Sequence, residues 1–328
     1  MSNLAPAGAA RAYRSPWWLP GSHLQTIVPA RLIPVPSVAY ARERWDTPDG
    51  DFIDVDFLQP PPGTETAPLL VMFHGLEGDS GSHYARILMD GCALRGWRGL
   101  VVHFRGCSGQ PNRLPRAYHS GDTTEIDWIL ARIAARWPQA PRFAVGISLG
   151  GNVLAKWAGE QGPAATARLV AAVAVSSPFD LAAGGHALAV GFNRLYTAMF
   201  LRSLVPKALA KVAAFPGLAD ARRIKASRTI GQFDDAFTAP VHGFAGVLDY
   251  WKRASAKPWL AGIALPLLAL NARNDPFVPH ASLPGMAEVS HHVRLETPDH
   301  GGHVGFFAPG SRPWYFADRV FGFLQEHL

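Results

Sequence analysis

The chain has 328 residues, 48% of them hydrophobic and 17% charged, a composition that excludes intrinsic disorder and favours one large domain, with or without an insertion. Its formal net charge of +6 is spread along the chain, and its densest basic run, 221–225, is too short to favour nucleic-acid binding. The two cysteines, Cys92 and Cys107, exclude a disulfide framework and a zinc site built on paired cysteines.

The N-terminal segment, residues 1–14, lacks the apolar run of a secretory signal. The longest apolar stretch, 169–175, has the length of a strand and is too short to span a bilayer. We therefore expect a cytoplasmic protein without a transmembrane segment. Its excess positive charge would support at most weak peripheral contact with an anionic membrane.

Strand-like and helix-like segments alternate from residue 38 onward. Two strands joined by a turn at 48–50 predict an antiparallel hairpin over 38–45 and 52–58. Further strands are predicted at 69–73, 99–104, 142–145, 169–175, 265–271 and 292–296. Helices are predicted at 84–94, after a capping box at 122–125, and at 314–326. This alternation predicts a mostly parallel central sheet with helices on both faces, and the hairpin forms an antiparallel edge.

The alternation stops between residues 179 and 262, where no convincing strand is found. Helix-like segments at 188–204, 207–215 and 243–254 predict a helical cap inserted into a core formed by residues 1–178 and 263–328. Ligands bind beyond the carboxyl ends of the strands in open α/β sheets, so we expect the insertion to cover a pocket there.

The sequence Gly146-Ile-Ser148-Leu-Gly150 carries the first chemical signal. A strand precedes it and a helix follows it, which is the context in which Gly-x-Ser-x-Gly forms a nucleophile elbow around the serine. The glycines keep a sharp turn free of side chains, and the helix directs free N–H groups toward Ser148. The pentapeptide alone is a weak signal, so the assignment depends on a base and an acid in the right order.

An acid and a base both follow Ser148, in the order Ser, Asp, His that this fold uses. Asp275 comes directly after a predicted core strand, where a triad acid belongs, although a turn-forming aspartate is the alternative. Asp299 is a rival acid without that placement. His303 is the preferred base because two glycines precede it, which predicts a flexible, uncrowded loop. His300 is the competing histidine.

A second oxyanion donor is expected from the loop after the strand 69–73. The sequence there turns at His74-Gly, and the N–H of Leu76 would pair with that of Leu149 to bind an oxyanion. An ordinary strand–helix turn is the alternative. We expect His74 to be structural, and the loop 105–109 to support the neighbouring turn rather than bind phosphate.

Together these stretches resemble the α/β-hydrolase superfamily, and within it the YheT-like, embryogenesis-associated branch. The resemblance extends over nearly the whole chain, through 16–26, 74–78, 104–109, 118–121, 146–152 and 301–306. It implies the α/β-hydrolase fold, Ser148, Asp275 and His303 as the catalytic triad, and hydrolysis of carboxylic esters. No membrane anchor like that of the eukaryotic relatives is expected. The segment 16–26 has no derivable catalytic role. Trp17 and Trp18 are expected to pack against the core or the cap, and a membrane-touching patch is the alternative.

The sequence therefore favours a serine esterase or lipase that needs no cofactor and no metal. Its partner would be a small hydrophobic ester with a short- to medium-chain acyl group, and monoacylglycerol-like lipids belong to that class. Acyl transfer, thioester hydrolysis and peptidase action use the same nucleophile and stay open, as does a non-catalytic binding protein. A metallohydrolase is disfavoured because the metal-binding histidine spacings are absent. The acyl length, the alcohol, the oligomeric state and any movement of the cap stay open.

Overall fold

The computed structural model describes residues 12–59, 64–310 and 313–328. Residues 1–11, most of the segment predicted to carry no secretory signal, lie outside the described residues. The strands are β1 (Ala39–Asp46), β2 (Phe52–Gln59), β3 (Leu69–Phe73), β4 (Arg98–Val102), β5 (Arg142–Ile147), β6 (Ala171–Val175), β7 (Leu267–Leu270) and β8 (Val293–Glu296). Every predicted strand is present, with bounds that differ by at most two residues.

The strands form one sheet in the order β1-β2-β4-β3-β5-β6-β7-β8. Strand β2 pairs antiparallel with β1 and with β4, and all other neighbours pair parallel. The predicted mostly parallel sheet with an antiparallel edge is confirmed. Its parallel strands all end at the same edge, where the loops that carry the candidate residues meet.

The α-helices of the described residues are α1 (Gly21–Arg31), α2 (His83–Leu94), α3 (Thr123–Arg136), α4 (Leu149–Gln161), α5 (Leu181–Leu188), α6 (Asn193–Ala214), α7 (Ala221–Ala226), α8 (Ile230–Phe233), α9 (Ala239–Val241), α10 (Val247–Ala254) and α11 (Tyr315–Gln325). Half of the predicted capping box is present at α3: the Asp122 carboxylate accepts a hydrogen bond from the Glu125 N–H, but the Glu125 carboxylate binds Arg105 and the Asp122 N–H donates to the His119 carbonyl. Among the residues that the structure describes, no helix combines the length and the apolarity needed to cross a membrane.

Helices cover both faces of the sheet, which explains why the inner strands β3, β6 and β7 are continuous apolar runs. In β3, Leu69, Val71 and Phe73 point into a cluster with α3 and α4, and Leu70 and Met72 point into a cluster with α2 and α11. All five side chains are buried. Because side chains alternate between the faces of a strand, a polar residue at any of these positions would enter one of the two cores.

The segment between β6 and β7 contains helices α5 to α10 and no strand, as predicted. The predicted break between helices at 188–204 and 207–215 is wrong, because α6 is one helix that continues through Pro206. Proline removes a helical hydrogen bond and normally disfavours the helix interior. Here Leu204 and Ala208, on either side of it, pack into one apolar cluster, and this packing holds the helix together. The assignment of 179–262 as a separate cap stays a prediction.

Helix α1 lies in the motif segment 16–26 and was not predicted, since its apolar residues show no clear helical periodicity. The expectation that both tryptophans pack against the core or the cap is wrong for Trp17 and is met by Trp18 at one edge of its ring only. Trp17 is 91% exposed, and Trp18 is 43% exposed with an edge contact to Phe307. Leu19 is the residue that enters the core, at 2% exposure, because the chain turns into α1 directly after it.

Candidate active site

Ser148 lies at the junction of β5 and α4, on a strained backbone. Its φ of 53° is in the left-handed region, which costs a non-glycine residue on the order of 1–3 kcal/mol. A Cβ added at Gly146 would lie 2.4 Å from the Gly150 carbonyl oxygen, and one added at Gly150 would lie 2.3 Å from the Phe73 carbonyl oxygen. The turn therefore requires glycine at both positions.

Three of the predicted site residues come together at this turn. His303 Nε2 lies 3.0 Å from Ser148 Oγ, and His303 Nδ1 lies 2.8 Å from Asp275 Oδ2. The Asp275 side chain is fully buried. With the Nδ1 proton held by the carboxylate, Nε2 is free to accept the serine proton.

The rival acid and base lie on the surface and outside this arrangement. The Asp299 carboxylate is 79% exposed and lies 3.6 Å from the Arg273 guanidinium. His300 is exposed, and its Nδ1 lies 3.5 Å from Asn274 Nδ2. The structure therefore does not bring Asp299 or His300 to Ser148.

The Asp275 carboxylate is held by backbone amides after β7. Its Oδ1 accepts hydrogen bonds from the N–H groups of Phe277 (2.8 Å) and Val278 (3.3 Å), which leaves Oδ2 for His303. The Phe277 ring also packs on the imidazole, with the ring centroids 4.3 Å apart. These contacts fix both partners of the carboxylate–imidazole pair.

The loop that carries His303 is tightly packed against α1, so the expectation of a flexible, uncrowded loop is wrong. Gln25 Oε1 accepts a hydrogen bond from the Gly301 N–H, and Thr26 Oγ1 accepts one from the His303 N–H, both at 2.9 Å. A Cβ at Gly305 would lie only 1.9 Å from the Gln25 carbonyl oxygen. The glycines of this loop allow its backbone to approach the backbone of α1 closely. The role of Gln25 and Thr26 was missed, although the motif at 16–26 was the available signal.

Backbone strain concentrates around this site. The non-glycine residues with positive φ in the described ranges are Glu77 (57°), Ser148 (53°), Ser176 (50°), Val304 (57°) and Phe306 (38°). They follow the carboxyl ends of β3, β5 and β6 or lie beside His303. Such strain persists where the surrounding structure holds it, and it clusters at functional sites.

The two candidate oxyanion donors are backbone amides near Ser148. The amides on either side of Leu76 donate to the hydroxyl groups of Tyr84 (3.1 Å) and Tyr118 (3.0 Å). The Leu76 N–H itself has no acceptor among the described residues. Leu149 begins α4, and the first N–H groups of a helix lack an intrahelical acceptor. Both amides are therefore available to bind an oxyanion.

His74 and the loop after β4 lie beside the candidate site and are not part of the Ser148 arrangement. His74 Nε2 accepts a hydrogen bond from the Phe104 N–H at 3.1 Å, and complete burial lowers the pKa of its imidazole to about 3. The imidazole is therefore neutral and structural, as expected. Arg105 is buried between the carboxylates of Asp51 (3.0 Å) and Glu125 (2.6 Å), so it is not available to bind phosphate.

The helices between β6 and β7 contact both sides of the candidate site. Leu76 packs against an apolar cluster that includes Leu204 of α6 and Phe233 of α8. On the histidine side, Tyr196 of α6 packs on Phe277 with ring centroids 4.7 Å apart. The surroundings of Ser148 are therefore apolar on both sides.

Two open cavities, of about 520 and 590 Å³, lie within the helical segment rather than at Ser148. Trp251 lines both. Neither is lined by a residue of the Ser148 arrangement, so they are separate from the candidate site.

Comparison with known proteins assigns the family. A family model described as the alpha/beta hydrolase fold matches residues 68–308. Over 286 residues the chain is 41% identical to YheT of Escherichia coli (strain K12), to which an esterase activity is attributed, covering 87% of this chain and 84% of that protein. Over 305 residues it is 28% identical to the human phospholipase ABHD3, covering 90% of this chain and 74% of that relative.

Among solved structures, the esterase Pf2001 of Pyrococcus furiosus superposes with a TM-score of 0.56 over 91% of this chain and 99% of its own. At 15% identity this similarity shows the shared fold. The match to the family model and the 41% identity to YheT of Escherichia coli show the family as well as the fold. The chain belongs to the α/β-hydrolase family, in its YheT-like branch.

Proposed function

We propose that the protein is a serine hydrolase that cleaves carboxylic esters with Ser148, His303 and Asp275 as its catalytic triad. The observation that carries the proposal is the continuous chain of contacts from Ser148 Oγ to His303 (3.0 Å) and on to the buried Asp275 carboxylate (2.8 Å). A serine hydroxyl needs an adjacent base to become a nucleophile, and this arrangement supplies one.

In the acylation step, Ser148 Oγ attacks the ester carbonyl carbon while His303 Nε2 takes the hydroxyl proton. The electron pair of the carbonyl bond moves onto its oxygen, which accepts hydrogen bonds from the N–H groups of Leu76 and Leu149. Losing one such donor typically costs about 3–4 kcal/mol of barrier. Asp275 stabilises the imidazolium and holds its orientation.

The tetrahedral intermediate then collapses, and the bond between the acyl carbon and the alcohol oxygen breaks. His303 gives its proton to the departing alcohol, which leaves the acyl group on Ser148. A water molecule, deprotonated by His303, attacks the acyl-enzyme in the same way and releases the carboxylic acid. The cycle returns Ser148 and His303 to their starting states.

The substrate is an ester with a hydrophobic acyl group of short to medium length. Phe277 packs on the His303 imidazole, and Leu76 packs against the apolar cluster of α6 and α8. The helical segment 179–262 acts as the cap over this pocket. Relatives named an esterase and a phospholipase support acyl esters as the substrate class, with lipid esters such as monoacylglycerols among them.

A fluorophosphonate probe, which reacts only with an activated serine, tests the proposal. We expect the folded protein to be labelled and Ser148→Ala to lose all labelling. His303→Ala and Asp275→Asn should label at least a hundredfold more slowly, whereas the neighbouring controls His300→Ala and Asp299→Asn should label at the normal rate. Folded protein that is not labelled would instead favour a non-catalytic binding protein.

A substrate series then tests the reaction class. We expect hydrolysis of p-nitrophenyl esters, with the highest kcat/KM between the acetyl and decanoyl esters, because the acyl neighbours are apolar. Thioesters and amides of matched acyl length serve as the comparison. A higher kcat/KM for either class would replace ester hydrolysis as the proposed reaction.

A further inference from the structure

Helix α1 and the start of α6 contact each other through a few side chains, and exposed residues of both lie near these contacts. The Arg31 guanidinium of α1 contacts the Met199 sulfur of α6 at 3.3 Å, and the His23 ring lies 4.4 Å from the Phe192 ring. We call this surface the α1–α6 face. Its exposed side chains are Leu24, Arg31 and Leu32 of the α1 segment and Phe192, Arg194, Leu195, Met199 and Arg202 of the α6 segment.

The α1–α6 face is unusually apolar for a surface. Five of the fourteen large apolar side chains that are exposed in the described chain belong to this face. Leu195 is 61% exposed and Leu32 is 70% exposed. Single exposed apolar residues are ordinary, but a concentration of them marks a surface that contacts a protein or a membrane.

The charge of this face is of one sign only. Residues 12–42 and 181–219 contain no aspartate and no glutamate. Arg31, Arg194 and Arg202 are exposed, and none of them forms an ion pair with a carboxylate of the described residues. Three arginines without a carboxylate partner near exposed leucine, methionine and phenylalanine give this surface positive charge to attract anionic lipid headgroups and apolar side chains to insert beneath them.

The face adjoins the candidate active site. Tyr196, whose hydroxyl lies 3.3 Å from His23 Nδ1, packs on Phe277, and Phe277 packs on His303. Two ring contacts therefore connect the face to the imidazole beside Ser148. A surface on which the α1–α6 face rested would lie close to the serine.

We propose that the α1–α6 face docks on the surface of an anionic phospholipid membrane. A second copy of the chain is a poorer occupant, because a self-interface would place arginines against arginines with no carboxylate between them. An anionic bilayer supplies negative charge for the arginines of the face and an apolar layer for its exposed apolar side chains. Docking brings the Ser148 site next to lipid esters, and it does not depend on hydrolysis.

Vesicle co-sedimentation of the full chain tests the proposal. The Ser148→Ala protein is used so that no ester is consumed, and binding is independent of the proposed activity. Vesicles of phosphatidylcholine alone are compared with vesicles containing 30% phosphatidylglycerol. We expect a partition coefficient at least tenfold higher for the anionic vesicles, and we expect 0.5 M NaCl to lower it.

Two double variants and two controls locate the surface. Arg194→Glu with Arg202→Glu should lower the partition coefficient at least tenfold, since each basic residue contributes roughly fivefold. Leu195→Ser with Met199→Ser should lower it by a similar factor. Leu94→Ser and Arg222→Glu, exposed elsewhere on the chain, should change it less than twofold.

Three results would overturn the proposal. The first is equal partition into neutral and anionic vesicles. The second is a partition coefficient that stays unchanged in both double variants while their thermal unfolding midpoints equal that of the parent. The third is a parent protein that binds no vesicles and forms a concentration-dependent dimer, where Leu195→Ser with Met199→Ser abolishes the dimer. That result would assign the face to a second copy of the chain.

Discussion

Replacing Thr26 by valine should slow catalysis although Thr26 contacts neither Ser148 nor the proposed ester. Its hydroxyl accepts the hydrogen bond of the His303 N–H at 2.9 Å and is 7% exposed. Valine has the same shape and cannot accept that bond. The variant therefore leaves one nearly buried N–H unpaired, which costs about 1–3 kcal/mol of folding free energy.

Loss of the hydrogen bond between Thr26 and the His303 N–H also moves the His303 imidazole. The His303 N–H can regain a partner only if its backbone shifts toward water, which lengthens the 3.0 Å contact between Nε2 and Ser148 Oγ. A misplacement of about 1 Å costs about a hundredfold in rate. We expect kcat to fall by about ten- to a hundredfold. The KM should change less than twofold because Thr26 does not line the acyl side of the site.

The measurements are kcat and KM on a p-nitrophenyl ester, the rate of fluorophosphonate labelling, and unfolding in urea. Thr26→Ser is the matched control, since it keeps the hydroxyl, and we expect at least half of the wild-type kcat. A Thr26→Val protein with wild-type kcat and labelling rate but a lower free energy of unfolding would refute the reasoning. The bond would then contribute to stability alone.

Two further changes test the elbow and a buried carboxylate. Gly150→Ala should prevent folding or lower the unfolding midpoint steeply, because its Cβ would lie 2.3 Å from the Phe73 carbonyl oxygen. Gly285→Ala should unfold like the parent, because its Cβ would meet only the Glu288 carboxylate, at an ordinary contact distance of 3.8 Å. Burial raises the pKa of the Asp234 carboxyl from 3.8 to about 6. Above pH 6, keeping this carboxylate ionised in the folded protein therefore lowers the free energy of unfolding by up to about 3 kcal/mol. Asp234→Asn should therefore be more stable than the parent in urea at pH 8, with the difference vanishing at pH 4. Equal midpoints at pH 8 would show that Asp234 is not destabilising.

The sheet could be predicted because its signals are local. Each buried strand is a short apolar run of its own, and the strands 69–73 and 142–145 are bounded by turn residues in the sequence. The residues of the candidate site could be selected for the same reason. Ser148 and Asp275 both follow predicted strands, whose carboxyl ends must meet at one edge.

What could not be predicted depends on contacts between distant parts of the chain. Gln25 is 276 positions from Gly301, and no local pattern indicates that their hydrogen bond exists. The glycines before His303 were interpreted as a source of mobility because their neighbours in space were unknown. The break predicted between the helices 188–204 and 207–215 is wrong for the same reason, since the packing that keeps α6 continuous comes from other segments.

The hydrogen bonds between Gln25 and the loop of His303 also order events during synthesis. A ribosome makes Gln25 before any strand of the sheet and Gly301 only after all eight strands. Most of the sheet can assemble on the nascent polypeptide before that loop has emerged, yet the imidazole cannot take its place. The sheet can therefore fold first, and the Ser148 hydroxyl gains its imidazole neighbour only after the loop of His303 has been made.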